Sequence, residues 1–210
     1  VRAAAGEGME QLVILGAGYD TRPYRIEGLK GNANVKVFEV DHPETQSLKK
    51  EKIEMIFGGL PDHIVYVPVD FEMEGIDQKL PGNGYDRSKK TLFLMEGLVM
   101  YIPPMAVDEM LSFIVNNSAK GSEVLFDYFI QSVVDGTSGT EKNMRDFAAQ
   151  QGEPFLFGIE DGAAEAFLKE RGFSRVQNVT SDDYKNAYFC GANKDRAVCN
   201  LLSFVHAVVE

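Results

Sequence analysis

Four carboxylates stand just past the ends of four apolar runs. Asp20 follows Gln11-Leu12-Val13-Ile14-Leu15 and the turn Gly16-Ala17-Gly18-Tyr19, Asp41 follows Val35 to Val40, Asp70 follows Ile64 to Val69, and Glu96 follows Thr91 to Met95. Each acid alone reads as an ordinary strand-end cap. Four on one rim make a cluster of negative charge that calls for compensation. A ligand bearing a sulfonium cation, an amine and a ribose diol supplies it. The turn also suits a ligand. Gly16 and Gly18 let the backbone bend tightly and approach closely, and the helix that follows offers free N–H groups. Asp41 lies 23 positions beyond Gly18, about where an acid accepts hydrogen bonds from the hydroxyls of an adenosine ribose. A G-x-G tripeptide by itself is met equally well by a turn that needs glycine only for its dihedrals. The pattern of strand-end acids is what favours the ligand reading. The nearest rival ligand is a nicotinamide dinucleotide, whose fingerprint wants a third glycine where this chain has Thr21.

These residues need a parallel sheet to bring them together. The run 11–15 is apolar throughout and stops at glycine, which suits a strand buried on both faces. Runs 35–40 and 64–69 are rich in β-branched residues, and Pro68 removes a ladder donor, which places the third strand at a sheet edge. Strand 91–95 ends at Glu96-Gly97, and Pro103-Pro104 opens a helix to about Asn117. A fifth strand spans 123–129. After it the pattern predicts a Gly/Ser/Thr loop around 135–140, a helix to about Gln151, a helix from Gly162 to Arg171 capped by Gly172, and strands at 174–180 and 201–209. The connection holding Tyr184 to Asn193 reads as polar and less regular. Strand and helix alternate in one α/β domain over residues 1–210, with no internal repeat. In such sheets ligands bind beyond the carboxyl ends of the strands, where strand order reverses.

Composition narrows the class. With 210 residues, 44% of them hydrophobic, the chain is long enough for a single core. No apolar run approaches the roughly 18 residues of a membrane span. A net charge of −11 opposes binding to nucleic acid. The stretch Lys49-Lys50-Glu51-Lys52 reads as the solvated face of a helix. Cys190 and Cys199 form no C-x-x-C pair, so a cytoplasmic protein is expected. His42, His63 and His206 lack metal-ligand spacing. Gly136-Thr137-Ser138-Gly139-Thr140 misses the hydrolase elbow at its last place. The sequons at Asn116 and Asn178 read as chance matches. The opening residues Val1-Arg2-Ala3-Ala4-Ala5 carry a helical pattern already under way, and the expectation is a chain cut at its N-terminus.

Taken together, residues 13–22 (Val-Ile-Leu-Gly-Ala-Gly-Tyr-Asp-Thr-Arg), Phe38-Glu39-Val40-Asp41-His42-Pro43, Val67-Pro68-Val69-Asp70-Phe71 and Glu96-Gly97-Leu98-Val99-Met100-Tyr101 resemble the leucine carboxyl methyltransferase family and its bacterial and archaeal relatives. The resemblance covers residues from about 10 to 130. It implies the Rossmann-like class I methyltransferase fold, a seven-stranded, mostly parallel sheet with helices on both faces and an antiparallel last strand. It implies S-adenosyl-L-methionine as cofactor and O-methylation of a carboxylate or a small-molecule hydroxyl. By the same resemblance Gly16, Ala17 and Gly18 lie against the methionine part of the cofactor near Asp20, and Asp41 holds the ribose. Asp70 accepts from the adenine amino group, the Phe71 N–H meets the ring, and Glu96 faces the amino-acid moiety. Strand counting leaves Asp41 and Glu39 equally placed for the ribose; only the resemblance selects Asp41. Family members carry an upstream helical segment whose basic residues grip the cofactor carboxylate. Here Arg22 is the candidate substitute, with loop bracing the alternative role, and Tyr101 is a candidate for the acceptor side or for plain packing. A binding module that has lost turnover and a nicotinamide-dependent oxidoreductase are the competing functions.

Overall fold

Continuous apolar strands need cover on both faces, and the chain supplies it from helices flanking each of them. A computed structural model describes residues 1–29, 35–71, 73–137 and 139–210; Ser138, part of the expected Gly/Ser/Thr loop, lies outside them. In chain order the elements are α1 (Arg2–Gly6), β1 (Gln11–Leu15), α2 (Arg22–Arg25), β2 (Lys36–Asp41), α3 (Pro43–Phe57), β3 (Ile64–Pro68), α4 (Ile76–Gly82), β4 (Thr91–Met95), α5 (Pro104–Asn116), β5 (Glu123–Phe129), α6 (Gln131–Asp135), α7 (Gly139–Gln150), α8 (Ala164–Lys169), β6 (Phe173–Val179), α9 (Ser181–Tyr188) and β7 (Leu202–Val209).

The seven strands form one sheet in the order β3-β2-β1-β4-β5-β7-β6. β1 to β5 pair in parallel, and β7 runs antiparallel between β5 and β6. β3 lies at the edge with Pro68 as its last residue, where a missing N–H costs no ladder bond. Every residue of β1 is buried, as its central place demands. One core packs α4, α5 and α8 on one face, through Ile76, Leu80, Leu111, Ile114 and Leu168. The other face takes α1, α2 and α3 through Ala4, Tyr24 and Ile53. The strand order reverses between β1 and β4, and that switch point sets the position of the site.

Three readings of the sequence need correction. The segment after β5 contains the short helix α6, whose Val133 is fully buried against Met100, Phe155 and Leu201. The connection before β7 is not irregular throughout: α9 opens with a capping box in which the Thr180 hydroxyl and the Asp183 carboxylate exchange hydrogen bonds with each other's N–H. This helix buries none of its residues, and its polar composition gave no run of apolar residues to mark it. Lys49 is not solvated. It is 3% exposed, on the face of α3 turned to the sheet.

Candidate cofactor-binding site

The loop after β1 turns left-handed at two of three residues, with φ of 66° at Gly16 and 41° at Gly18. An L side chain is strained in either place. Between them Ala17 is buried, and its N–H donates to the Val40 carbonyl at 3.0 Å. Asp41, at the end of β2, holds the same turn. One of its carboxylate oxygens accepts from the Gly18 N–H, and the other accepts from the His42 N–H at 2.6 Å.

Arg22 at the start of α2 crosses from this turn to the end of β4. Its N–H donates to Asp20 at 2.7 Å, its guanidinium pairs with the same carboxylate at 3.0 Å, and the second guanidinium nitrogen pairs with Glu96. Arg22 therefore braces the loop and lies in the crevice at once. The acidic rim expected from the sequence is also partly neutralised from within the fold, since one cation serves two of its four carboxylates. Gly16, Ala17, Gly18, Asp20, Arg22 and Glu96 line one crevice of about 360 Å³, joined by Arg25, whose Nε donates to the Thr21 hydroxyl at 3.0 Å.

The remaining expected residues, Asp41, Asp70, Phe71 and Tyr101, do not line this crevice themselves. Asp41 meets it through Gly18. Asp70 and Phe71 sit in the loop after β3: the Asp70 carbonyl accepts from Met73 and Glu74 at 3.0 and 2.7 Å, and Phe71 packs half-buried against the core. Phe71 lines a separate cavity of about 570 Å³ between α4 and α5. Tyr101 closes a single 3-10 turn, Val99–Tyr101, and packs 5.7 Å from the Phe155 ring. Burial, with the charges of Glu153 and Asp127, raises its phenol pKa above the ordinary value, so the hydroxyl stays protonated.

Two features escape a reading of the sequence. Asp127, inside β5, is 9% exposed and accepts from the Gly97 N–H at 2.7 Å, which fixes the turn that carries Glu96. Burial raises its pKa, the Gly97 N–H opposes that, and Glu96 adds to it. An acid in the middle of β5, between Phe126 and Tyr128, was the available signal. The second is an ion pair beneath the turn between Glu39 and Lys49, 2.8 Å apart with side chains 1% and 4% exposed. Asp41 and Glu39 share one face of β2, yet Glu39 is wholly buried while Asp41 reaches the rim. Among the described residues no cluster of His, Cys, Asp or Glu is arranged to hold a metal ion, and no helix is long and apolar enough to cross a membrane.

Residues 1–115, which contain the glycine turn, Asp41, Asp70 and Glu96, match the family model for leucine carboxyl methyltransferase. The chain belongs to this family. A Bacillus subtilis protein provisionally named S-adenosyl-L-methionine-dependent methyltransferase YktD is 30% identical over 203 residues, which are 96% of this chain and 66% of that protein. A Mycobacterium avium protein of the same provisional designation is 30% identical over 193 residues, 88% of this chain and 62% of its own length. The chain thus spans somewhat under two thirds of these curated relatives. Haemonchus contortus phosphoethanolamine N-methyltransferase 2 in complex with S-adenosyl-L-methionine matches with a TM-score of 0.61 at 13% identity, over 96% of this chain and 49% of that one. The methyltransferase SibL in its apo form matches at 0.55 and 14% identity, over 98% and 51%. The chain thus shares the Rossmann-like fold of these methyltransferases.

Proposed function

We propose that the crevice between β1 and β4 binds S-adenosyl-L-methionine and that the protein transfers its methyl group to an oxygen of a carboxylate or a small-molecule hydroxyl. The observation that carries this reading is the pairing of Arg22 with Glu96 beside the glycine turn. An amino-acid head group is a zwitterion, and a guanidinium next to a carboxylate is its complement. Glu96 would hold the ammonium of the cofactor's amino-acid end, and Arg22, itself held by Asp20, would hold the carboxylate. A nicotinamide dinucleotide has no such zwitterion.

The rest of the donor set fits the same ligand. A Cβ on Gly18 would meet nothing nearer than the Gly16 carbonyl at 3.9 Å, so the space above Gly18 is open to a ligand. A carboxylate offers about four lone-pair sites. Asp41 uses one on each oxygen for Gly18 and His42, and the two left over suit the two ribose hydroxyls. Asp70 and the Phe71 N–H, in the loop after the neighbouring strand, take the adenine.

The cofactor supplies an electrophilic methyl group on sulfur. The chain's task is to align the acceptor for in-line attack and to exclude water. A carboxylate acceptor needs no general base, whereas a hydroxyl needs one within hydrogen-bond reach. Burial and nearby acids raise the Tyr101 phenol, which makes it a poor candidate for that base. In calorimetric titration S-adenosylhomocysteine should bind and NAD should not. Arg22→Met should weaken S-adenosylhomocysteine by roughly tenfold to a hundredfold, the scale of a charge-assisted hydrogen bond. Binding of NAD in preference would refute the reading. Binding without transfer to any carboxylate or hydroxyl acceptor would point to the inactive binding module.

A further inference from the structure

Lys49 has three N–H donors and spends them on three different segments. Its ammonium lies 2.8 Å from the Glu39 carboxylate on β2, 3.4 Å from the carbonyl of Ala17 in the glycine turn, and over the face of the Tyr24 ring on α2, 5.6 Å from its centroid. The group is closed in, with Lys49 3% and Glu39 0% exposed. Besides Lys49, the Tyr24 hydroxyl acts on the Glu39 carboxylate as a donor. One turn earlier on α3, Gln46 donates to the Glu39 carbonyl at 2.9 Å, so the helix grips β2 twice. The Tyr24 hydroxyl continues the cluster to the Tyr66 hydroxyl of β3 at 3.0 Å.

An apolar pair of similar volume would fill this space at no desolvation cost, and replacing buried ion pairs in that way is often neutral or stabilising. What methionine cannot do is donate to the Ala17 carbonyl. That carbonyl belongs to the residue between Gly16 and Gly18, at the floor of the crevice, and Tyr24 belongs to the helix that carries Arg22 into the crevice wall. We propose that Lys49 is a positioning residue for the cofactor site: held by Glu39, its ammonium anchors the Ala17 carbonyl and α2, and so fixes the floor and the Arg22 wall of the crevice relative to each other. This rests on the reading that the crevice takes S-adenosylmethionine and adds to it a residue that touches no ligand.

The arrangement also responds to protonation. Burial pushes Glu39 up to about 7, against the pull of Lys49 and the Tyr24 hydroxyl. The charged and titratable groups facing Glu39 are Lys49 from α3, Tyr24 from α2 and Asp20 from the loop. Tyr66 of β3 completes the set, with Glu54 and Lys50 beside it. Protonating Glu39 removes the charge that holds Lys49, and through Lys49 the change reaches Ala17.

A double variant separates positioning from stability. Lys49→Met alone leaves a buried carboxylate unpaired and should lose stability. Glu39→Leu with Lys49→Met should recover the urea midpoint of the unsubstituted protein, yet bind S-adenosylhomocysteine about tenfold more weakly, the scale of one hydrogen bond from a charged donor. Its Ala17 and Gly18 amides should also exchange hydrogen faster. A double variant equal to the unsubstituted protein in stability, affinity and exchange would overturn the proposal. In the unsubstituted protein, the carbon-13 shift of the Ala17 carbonyl should titrate with the same midpoint as the Glu39 carboxyl carbon. An Ala17 signal that stays still while Glu39 titrates overturns the proposal even if no variant folds. If the unsubstituted protein does not bind S-adenosylhomocysteine, the cofactor reading fails, and the exchange and carbon-shift measurements still decide whether Lys49 positions the turn.

Discussion

Alanine at Gly16 and alanine at Gly18 should have different consequences, although the two glycines stand two residues apart in one turn. Both have positive φ, and a side chain in the left-handed region costs roughly 1–2 kcal/mol. At Gly18 that is the main cost, because the new Cβ finds only the Gly16 carbonyl, at 3.9 Å. At Gly16 the Cβ would lie 3.1, 3.2 and 3.4 Å from three side-chain carbons of Leu98. Leu98 is 8% exposed and packed in the larger core, so it has no room to withdraw. Overpacking of this kind costs about 1–3 kcal/mol, which brings Gly16→Ala to roughly 2–5 kcal/mol in all. The gain from restricting the unfolded chain is the same for both and cancels in the comparison. Urea unfolding of the two variants measures the difference directly, with Gly16→Ala unfolding at the lower midpoint. S-adenosylhomocysteine titration of the folded Gly18→Ala protein should in turn show weakened binding, since that Cβ enters the open crevice. Equal midpoints, or a Gly18 variant less stable than the Gly16 variant, would refute the packing argument. A folded Gly18→Ala protein with unchanged affinity would remove the ligand from this turn.

Asp41→Ala should weaken S-adenosylhomocysteine by about 1.5–3 kcal/mol, the scale of hydrogen bonds to a charged group. Glu39→Ala should act first on stability, by roughly 3–5 kcal/mol, because it strands the buried Lys49; parallel calorimetry and urea unfolding test the ranking. Glu39 also ties stability to pH. Its carboxyl is raised from an ordinary 4.5 to about 7, so its contribution is complete below 4.5 and is lost as pH rises through 7, a change of roughly 3 kcal/mol. Glu39→Gln should remove that slope, and identical pH dependence of unfolding in the two proteins would contradict it. Thr180→Ala should cost about 1 kcal/mol by removing the cap of α9, readable as faster amide exchange in residues 181–188 with the sheet unaffected.

Local patterns in the chain determined a large part of the architecture. Strands β1, β4 and β5 were legible because buried parallel strands are continuous apolar runs bounded by glycine and acids. The edge position of β3 followed from one missing N–H at Pro68. The glycine turn and the acids at 20, 41, 70 and 96 were legible as a rim for the same reason: strand ends in a parallel sheet share one side. Pairing between distant side chains was not legible. That Arg22 reaches Glu96, 74 residues away in sequence, depends on β1 and β4 being neighbours, a fact of strand order. That Asp127 supports the Glu96 turn depends in the same way on β5 lying beside β4. Lys49 shows the limit most clearly. In a stretch of alternating charge it reads as solvated, and only the packing of α3 over β2 turns it inward onto Glu39 beneath Ala17. Sequence patterning decides which face of an element is apolar, whereas the partner of a buried charge is decided by the tertiary contacts that exclude water from it.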